Sequence, residues 1–258
     1  MIDFDQVDTI PGSIISLLDN KRDLIRKELV LETKRNLEGH QWKGGNVTTD
    51  IYDESFNKIT ELLYNEKIIG FHCTKLINPD KIFTTGLKKL NPEEYENWII
   101  KNLEGKLLDK KMIVKIDKCF AEYKENGDYK YRENMIWFVI NKSLIYDSGC
   151  NYFFKYYGGE VIRRVVDPIK DIVYPILVRI GIPTVVAFEF KFNELAEGHQ
   201  HYLIKSFIES KVFENSYKFY RNMKAEGYVR RDIEPKGIIK VFQDNNVEKL
   251  KNIVYSKV

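Results

Sequence analysis

"GFHCTKLINPDKIFTTGLKKLN", Gly70 to Asn91, is the stretch on which the reading of this chain turns. The run "KIIGFHCT" that leads into it is short, apolar and β-branched, which marks a strand. That strand ends on His72, Cys73 and Thr74, three side chains capable of chemistry or hydrogen bonding. A polar turn follows at Asn78-Pro79-Asp80, then a short helical pattern that stops at Thr85-Gly86-Leu87. A lone histidine at a strand end is more often a hydrogen-bonded structural residue than a ligand. The rest of the chain has to decide between the two.

The 258 residues fit one large domain, or one domain with a helical appendage. With 43% hydrophobic and 13% aromatic residues, the chain can bury a sizeable core, which argues against global disorder. Charged residues make up 31% but nearly cancel, leaving a formal net charge of +3 that neither demands nor excludes a nucleic-acid partner. Cys73, Cys119 and Cys150 are odd in number and lack metal-site spacing, so they are expected as thiols of a reducing compartment. The N-terminal "MIDFDQVDTIPGS" has neither a basic nor an apolar signal region, and no apolar run approaches the ~18–20 residues of a bilayer span. A soluble cytoplasmic protein with no membrane partner is the expectation.

Along the chain, "GSIISLLDNKRDLIRKELVLETKRN" repeats Ile and Leu at helical spacing, with Ser13 as the candidate cap. "EGHQWKGGNVTTD" reads as a loop, and "ESFNKITELLY" as a helix with Phe56, Ile59 and Leu63 on one face. Beyond Pro92 a charged, mainly helical segment reaches about Lys118, followed by the turn-rich "KENGDYKYREN". "MIWFVI" is a strand, and "CNYFFKYYGGEVIRRVV" a helix entered from "YDSG". In "PTVVAFEFKFNEL", Val186, Phe188, Phe190 and Phe192 alternate with Ala187, Glu189 and Lys191, the pattern of a half-buried strand. "HYLIKSFIESKVFENSYKFYR" reads as a helix and "GIIKVFQ" as the last strand. No phosphate-binding glycine loop is present, and the unequal spacing of the elements argues against regular βαβ repetition. An α+β fold with a mixed or antiparallel sheet is expected, with an N-terminal helical region at 1–65 and the main domain at 66–258.

The order of the short motifs resembles the ADP-ribosyltransferase family in its histidine-tyrosine-glutamate branch. "FHCTKLINPDKIFTTGL" is similar to that family's first motif, a strand ending in His-x-Thr followed by a helix and a Gly-Leu turn. The resemblance implies that His72 bonds a ribose hydroxyl of NAD, with Cys73 and Thr74 beside it. Cys73 stands where the family usually has glycine. "SGCNYF" resembles the Asn-Tyr helix start of the second motif, making Tyr152 the aromatic that stacks on nicotinamide, with Tyr156 a further cofactor contact. Both tyrosines also read as core and rim aromatics of an amphipathic helix.

"KAEGYVRRDIEPKGIIKVF" resembles the tail of members that modify nucleic acid, where an Ala-Glu pair precedes a strand and a proline turn. Glu226 then matches the catalytic carboxylate, with His72 as its catalytic partner. Glu160 and Glu234 stay open as rivals, and Glu189 is weighed as a solvated strand residue. Tyr228, Arg230 and Arg231 are the candidate acceptor-binding residues, joined by Lys224 and Lys236 in a basic rim that also reads as plain solvated surface. The resemblance implies an NAD-dependent mono-ADP-ribosyltransferase with NAD as co-substrate and no metal. Its acceptor would be RNA, DNA or protein, nucleic acid being slightly favoured, and a toxin or anti-phage role with an antitoxin partner fits the family. A non-catalytic NAD- or nucleic-acid-binding module on the same fold is the alternative.

Overall fold

Ile68, Ile69 and Phe71 form a strand because β-branched and aromatic side chains suit a pleated, buried surface. That strand, β1, runs Lys67–Leu76, two residues beyond the expected "KIIGFHCT". Gly70 within it has to be glycine, since a Cβ there would lie 2.8 Å from Phe138 and 3.1 Å from Phe188. The protein is seen here as a computed structural model that describes residues 1–37, 50–104, 109–214 and 225–257.

In chain order, helices α1 (Gly12–Leu37) and α2 (Asp50–Leu63) precede β1. Helices α3 (Ile82–Thr85), α4 (Pro92–Leu103) and α5 (Lys110–Glu125) lead to strand β2 (Ile136–Val139). Next come helices α6 (Ser148–Lys155), α7 (Gly159–Val165) and α8 (Lys170–Arg179), then strand β3 (Ile182–Lys191) and helix α9 (Glu197–Val212). Strands β4 (Glu226–Val229) and β5 (Ile238–Gln243) and helix α10 (Val247–Lys257) close the chain. Among the described residues the strands form one sheet in the order β4-β2-β1-β3-β5. The pairs β1/β2, β2/β4 and β3/β5 are antiparallel, so the expected α+β class holds.

By its contacts the chain divides into two units, Met1–Ile69 with Lys191–Ala225, and Gly70–Phe190 with Glu226–Val258. The expected division at residue 65 differs from this because α9, distant in sequence, packs on α1 and α2. In that first unit Ile14, Leu18, Ile25 and Leu29 of α1 are buried, as are Leu203, Phe207 and Val212 of α9. The Arg26 guanidinium donates to the Val212 carbonyl at 2.7 Å and 3.1 Å, satisfying a carbonyl at the end of α9. The segments 38–49 and 215–224, which include the expected glycine-rich loop and Lys224, lie outside the described residues.

In the second unit, α4, α5, α7 and α8 share a core built on Ile99, Leu103, Phe120, Ile162 and Leu177. Asn91 caps α4 by accepting from the Glu93 and Glu94 amides, and Asp109 caps α5 through the Met112 amide. Lys75 of β1 is buried, and its Nζ donates to the Val178 carbonyl at 2.6 Å and the Lys155 carbonyl at 3.2 Å. One cation thereby meets the negative ends of α6 and α8. Burial lowers its pKa.

Three expectations differ from the structure. The single helix expected over 150–166 is two, because Tyr156 is extended and Gly158 and Gly159 take positive φ of 81° and 71°. A Cβ on Gly158 would meet Ile99, Ile162 and the Tyr95 hydroxyl at 2.7–2.9 Å, so the break cannot be filled by another residue without displacement. Strand β3 is not half-buried: Val185, Val186, Ala187 and Phe188 are all inaccessible, so both of its faces are covered there. Helix α1 starts at Gly12 after Pro11, which places Ser13 inside the helix rather than at its cap.

Gly86 ends α3 with φ 68°, and a Cβ there would stand 2.0 Å from the Ile233 carbonyl oxygen. Leu87 and Ile233 exchange two backbone hydrogen bonds of 2.9 Å at this point, fastening the Gly-Leu turn to the tail segment. Gly86→Ala is therefore expected to cost about 2–4 kcal/mol through backbone strain and overpacking. Denaturant unfolding measures this, and an unchanged midpoint would contradict the close approach.

Candidate active site

The second unit contains a cavity of about 840 Å³, in the size range of cofactor and small-molecule sites. Strand β1 contributes His72, Cys73 and Thr74, the α6–α7 region contributes Tyr152, and β4 contributes Glu226 at its first residue. Phe71, Val139 and Glu226 are register partners across β1, β2 and β4. Glu226 thus lies two strands from β1, about 9–10 Å between backbones at ordinary strand spacing. Strand alternation sets the Glu226 side chain on the face of Phe71 and Val139 and His72, the next residue of β1, on the opposite face, and the cavity takes lining residues from both.

The His72 Nδ1–H donates to the Trp137 carbonyl at 2.7 Å. A carbonyl can only accept, so Nδ1 carries the hydrogen and Nε2 keeps a lone pair. Burial pushes the imidazole below its ordinary pKa, outweighing the opposite pull of the carbonyl. His72 is therefore a neutral acceptor at Nε2, the form needed to accept from a hydroxyl. Beside it, the buried thiols of Cys73 and Cys150 are free of disulfide and share a hydrogen bond. That bond and burial hold the Cys73 thiol protonated, and the same bond lowers Cys150. The extra side chain at position 73 is thereby tied to α6.

Tyr152 is 45% exposed, and the Arg163 guanidinium carbon stands 4.4 Å from the centroid of its ring. Tyr156, expected as a cofactor contact, is not a cavity residue. Its backbone leaves the helix there and its ring is buried against Tyr174, centroids 4.8 Å apart.

Of the rival carboxylates, Glu160 lines the cavity but is held by Arg132 at 2.8 Å and Arg164 at 2.5 Å. Burial would raise its pKa, but the two guanidiniums together outweigh that and hold it below the usual carboxylate range. Glu234 is exposed at the head of the turn Pro235–Gly237, and Glu189 sits half-buried in β3, both away from the cavity.

The proposed acceptor residues lie outside the cavity lining but continue from it. Trp137, a cavity residue, is the register partner of Tyr228, and their rings are 4.9 Å apart. Arg132 lies 4.4 Å over Trp137 and Arg230 lies 5.3 Å over Tyr228, giving a cation–ring–ring–cation ladder. Arg231 instead donates to the Asp232 carbonyl at 3.0 Å. Sequence reasoning missed Trp137, Arg132 and Arg163. Alternation along "MIWFVI" was the available signal for Trp137, while the two arginines gave none.

Among the described residues no helix is long and apolar enough to cross a membrane, and no group of three or more His, Cys, Asp or Glu could hold a metal ion. Comparison with protein-family models, curated proteins and solved structures found no match to this chain.

The state of His72 has a pH signature. An unfolded histidine titrates near ~6.5, whereas folded His72 titrates lower, so below that value the unfolded chain binds more protons. Its contribution to stability is complete above ~pH 6.5 and is lost as pH falls through the lowered folded pKa. His72→Gln keeps a donor for Trp137 but does not titrate. Thermal midpoints of the native chain should drop more steeply than those of the variant between about pH 7 and pH 5. Parallel profiles would contradict a buried neutral imidazole.

Proposed function

We propose that this protein is a mono-ADP-ribosyltransferase with an ADP-ribosyltransferase-like form of the α+β fold. It cleaves NAD between nicotinamide and ribose and transfers ADP-ribose to a macromolecular acceptor. The observation that carries this reading is the gathering of His72, Thr74, Tyr152 and Glu226, residues distant in sequence, around one cavity of cofactor size.

In this reading His72 Nε2 accepts from a ribose hydroxyl, and nicotinamide stacks on Tyr152. Glu226 accepts from the nicotinamide-ribose hydroxyl and stabilises positive charge as it develops at the anomeric carbon. The carbon–nitrogen bond breaks with its electron pair passing to nicotinamide, which leaves neutral. The acceptor nucleophile then forms the new bond to that carbon and releases its proton to the Glu226 carboxylate or to water. Nucleic acid is the favoured acceptor because the exposed Arg230 over Tyr228, beside the cavity residue Trp137, offers a cation to a phosphate and, on swinging aside, the Tyr228 ring face to a base.

Labelled NAD with a cell extract tests the activity. Glu226→Gln should retain NAD binding within a few-fold yet lose about 10²-fold or more in turnover, as for an interaction made mainly in the transition state. Glu160→Gln should keep turnover while losing about 1.5–3 kcal/mol of stability, because the charge is lost and one of Arg132 and Arg164 faces an amide NH2 in place of an acceptor oxygen. The reverse pattern would assign the chemistry to Glu160. NAD binding with no turnover in any extract would leave a binding module instead.

The acceptor is tested with Tyr228→Ala combined with Arg230→Ala. Base stacking is worth about 1–3 kcal/mol per base, so acceptor use should fall roughly tenfold or more while NAD hydrolysis persists. The labelled product should yield to nuclease. A product that resists nuclease and yields to protease identifies a protein acceptor.

A further inference from the structure

Two arginines line the cavity, and their surroundings differ. Arg132 is neutralised by Glu160 at 2.8 Å. Arg163 has no carboxylate within ion-pairing distance among the described residues, although Glu160 lies one turn back on the same helix. Its Nε is buried and has no hydrogen-bond partner. The guanidinium is nevertheless held in place, 4.4 Å from the Tyr152 ring centroid, and its own carbonyl accepts from the Tyr174 hydroxyl at 2.9 Å. The Gly158-Gly159 turn starts α7 at the cavity wall, so Gly158, Gly159, Val161 and Arg163 all line it.

A buried donor on a permanent cation is costly unless an acceptor reaches it. Here the fold supplies a planar donor fork fixed against a ring and no anion to meet it. Arginine in that state matches an oxyanion able to accept two parallel hydrogen bonds, above all a phosphate ester. We propose that Arg163 is the anion-holding residue of the cavity, binding a phosphate of the ligand with the outer Nη1–Nη2 edge of its guanidinium while Nε stays buried and Tyr152 lies against the group. The ligand's identity as NAD, whose pyrophosphate would be held here, rests on the function proposed above, but the anion site does not. The arrangement also leaves a single face of Tyr152 for stacking.

The test compares the full chain with Arg163→Gln and Arg163→Lys, using NAD, ADP-ribose, nicotinamide and inorganic pyrophosphate as separate probes. Arg163→Gln should weaken NAD and ADP-ribose about tenfold or more and leave nicotinamide binding unchanged. Arg163→Lys, which keeps the charge but loses the fork, should fall between the native chain and Arg163→Gln. Unchanged NAD affinity in Arg163→Gln, or equal losses for nicotinamide, would overturn the assignment. If Arg163→Gln does not fold, Arg163→Lys decides: selective weakening of the phosphate-bearing probes supports the site, and native affinity sinks it. Should the native chain ignore NAD but gain thermal stability from pyrophosphate, with that gain lost in Arg163→Gln, the anion site stands and the NAD reading falls. No stabilisation of the native chain by any phosphate-bearing probe overturns both.

Discussion

The 2.7 Å hydrogen bond from the His72 imidazole to the Trp137 carbonyl joins β1 to β2 through a side chain rather than through the backbone ladder. It fixes the tautomer, and with burial it fixes the charge. The bond also connects the two walls of the site, because its acceptor belongs to the residue that stacks on Tyr228. Sheet pairing then places Glu226 in line with Phe71 and Val139, one residue from His72 along β1. Alternation sends His72 to the opposite face from that row, so the cavity draws its lining from both faces of the sheet at this point.

Around that constraint the site separates its carboxylates by environment. Glu160 is buried between two guanidiniums and acts as a fastening. Glu226 is exposed at the start of β4 and lies near the Cys150 thiol. Unlike environments give like groups unlike roles, which is the general logic of paired acids in enzymes. The two cavity arginines follow the same division, one neutralised inside the protein and the other left for a ligand.

The strands β1, β2 and β5 were legible because short apolar runs bounded by turn residues have little else to become. His72, Thr74, Tyr152 and Glu226 were legible as an ordered set of motifs, and the structure brings them to one cavity. The break at Tyr156–Gly158 was not, because helical spacing continues through it and the left-handed Gly158 answers to Ile99, Ile162 and Tyr95, contacts invisible in sequence. Tyr156 packs on Tyr174 rather than lining the cavity for the same reason. Burial of both faces of β3 overrode a clean period-two pattern, since Ala187 hides in an apolar layer as readily as the polar surface position it resembled. Arg132 and Arg163 look alike in sequence, and only the placement of Glu160 distinguishes them.

Nitrogen-15 NMR of the labelled His72 ring, with and without NAD, tests the central claim most directly. Hydrogen on Nδ1, an unprotonated Nε2 at neutral pH, and a shift of Nε2 on adding NAD are the predicted results. A ring protonated on Nε2, or one unmoved while NAD binds, would contradict the account of His72 as the neutral acceptor at the head of the site.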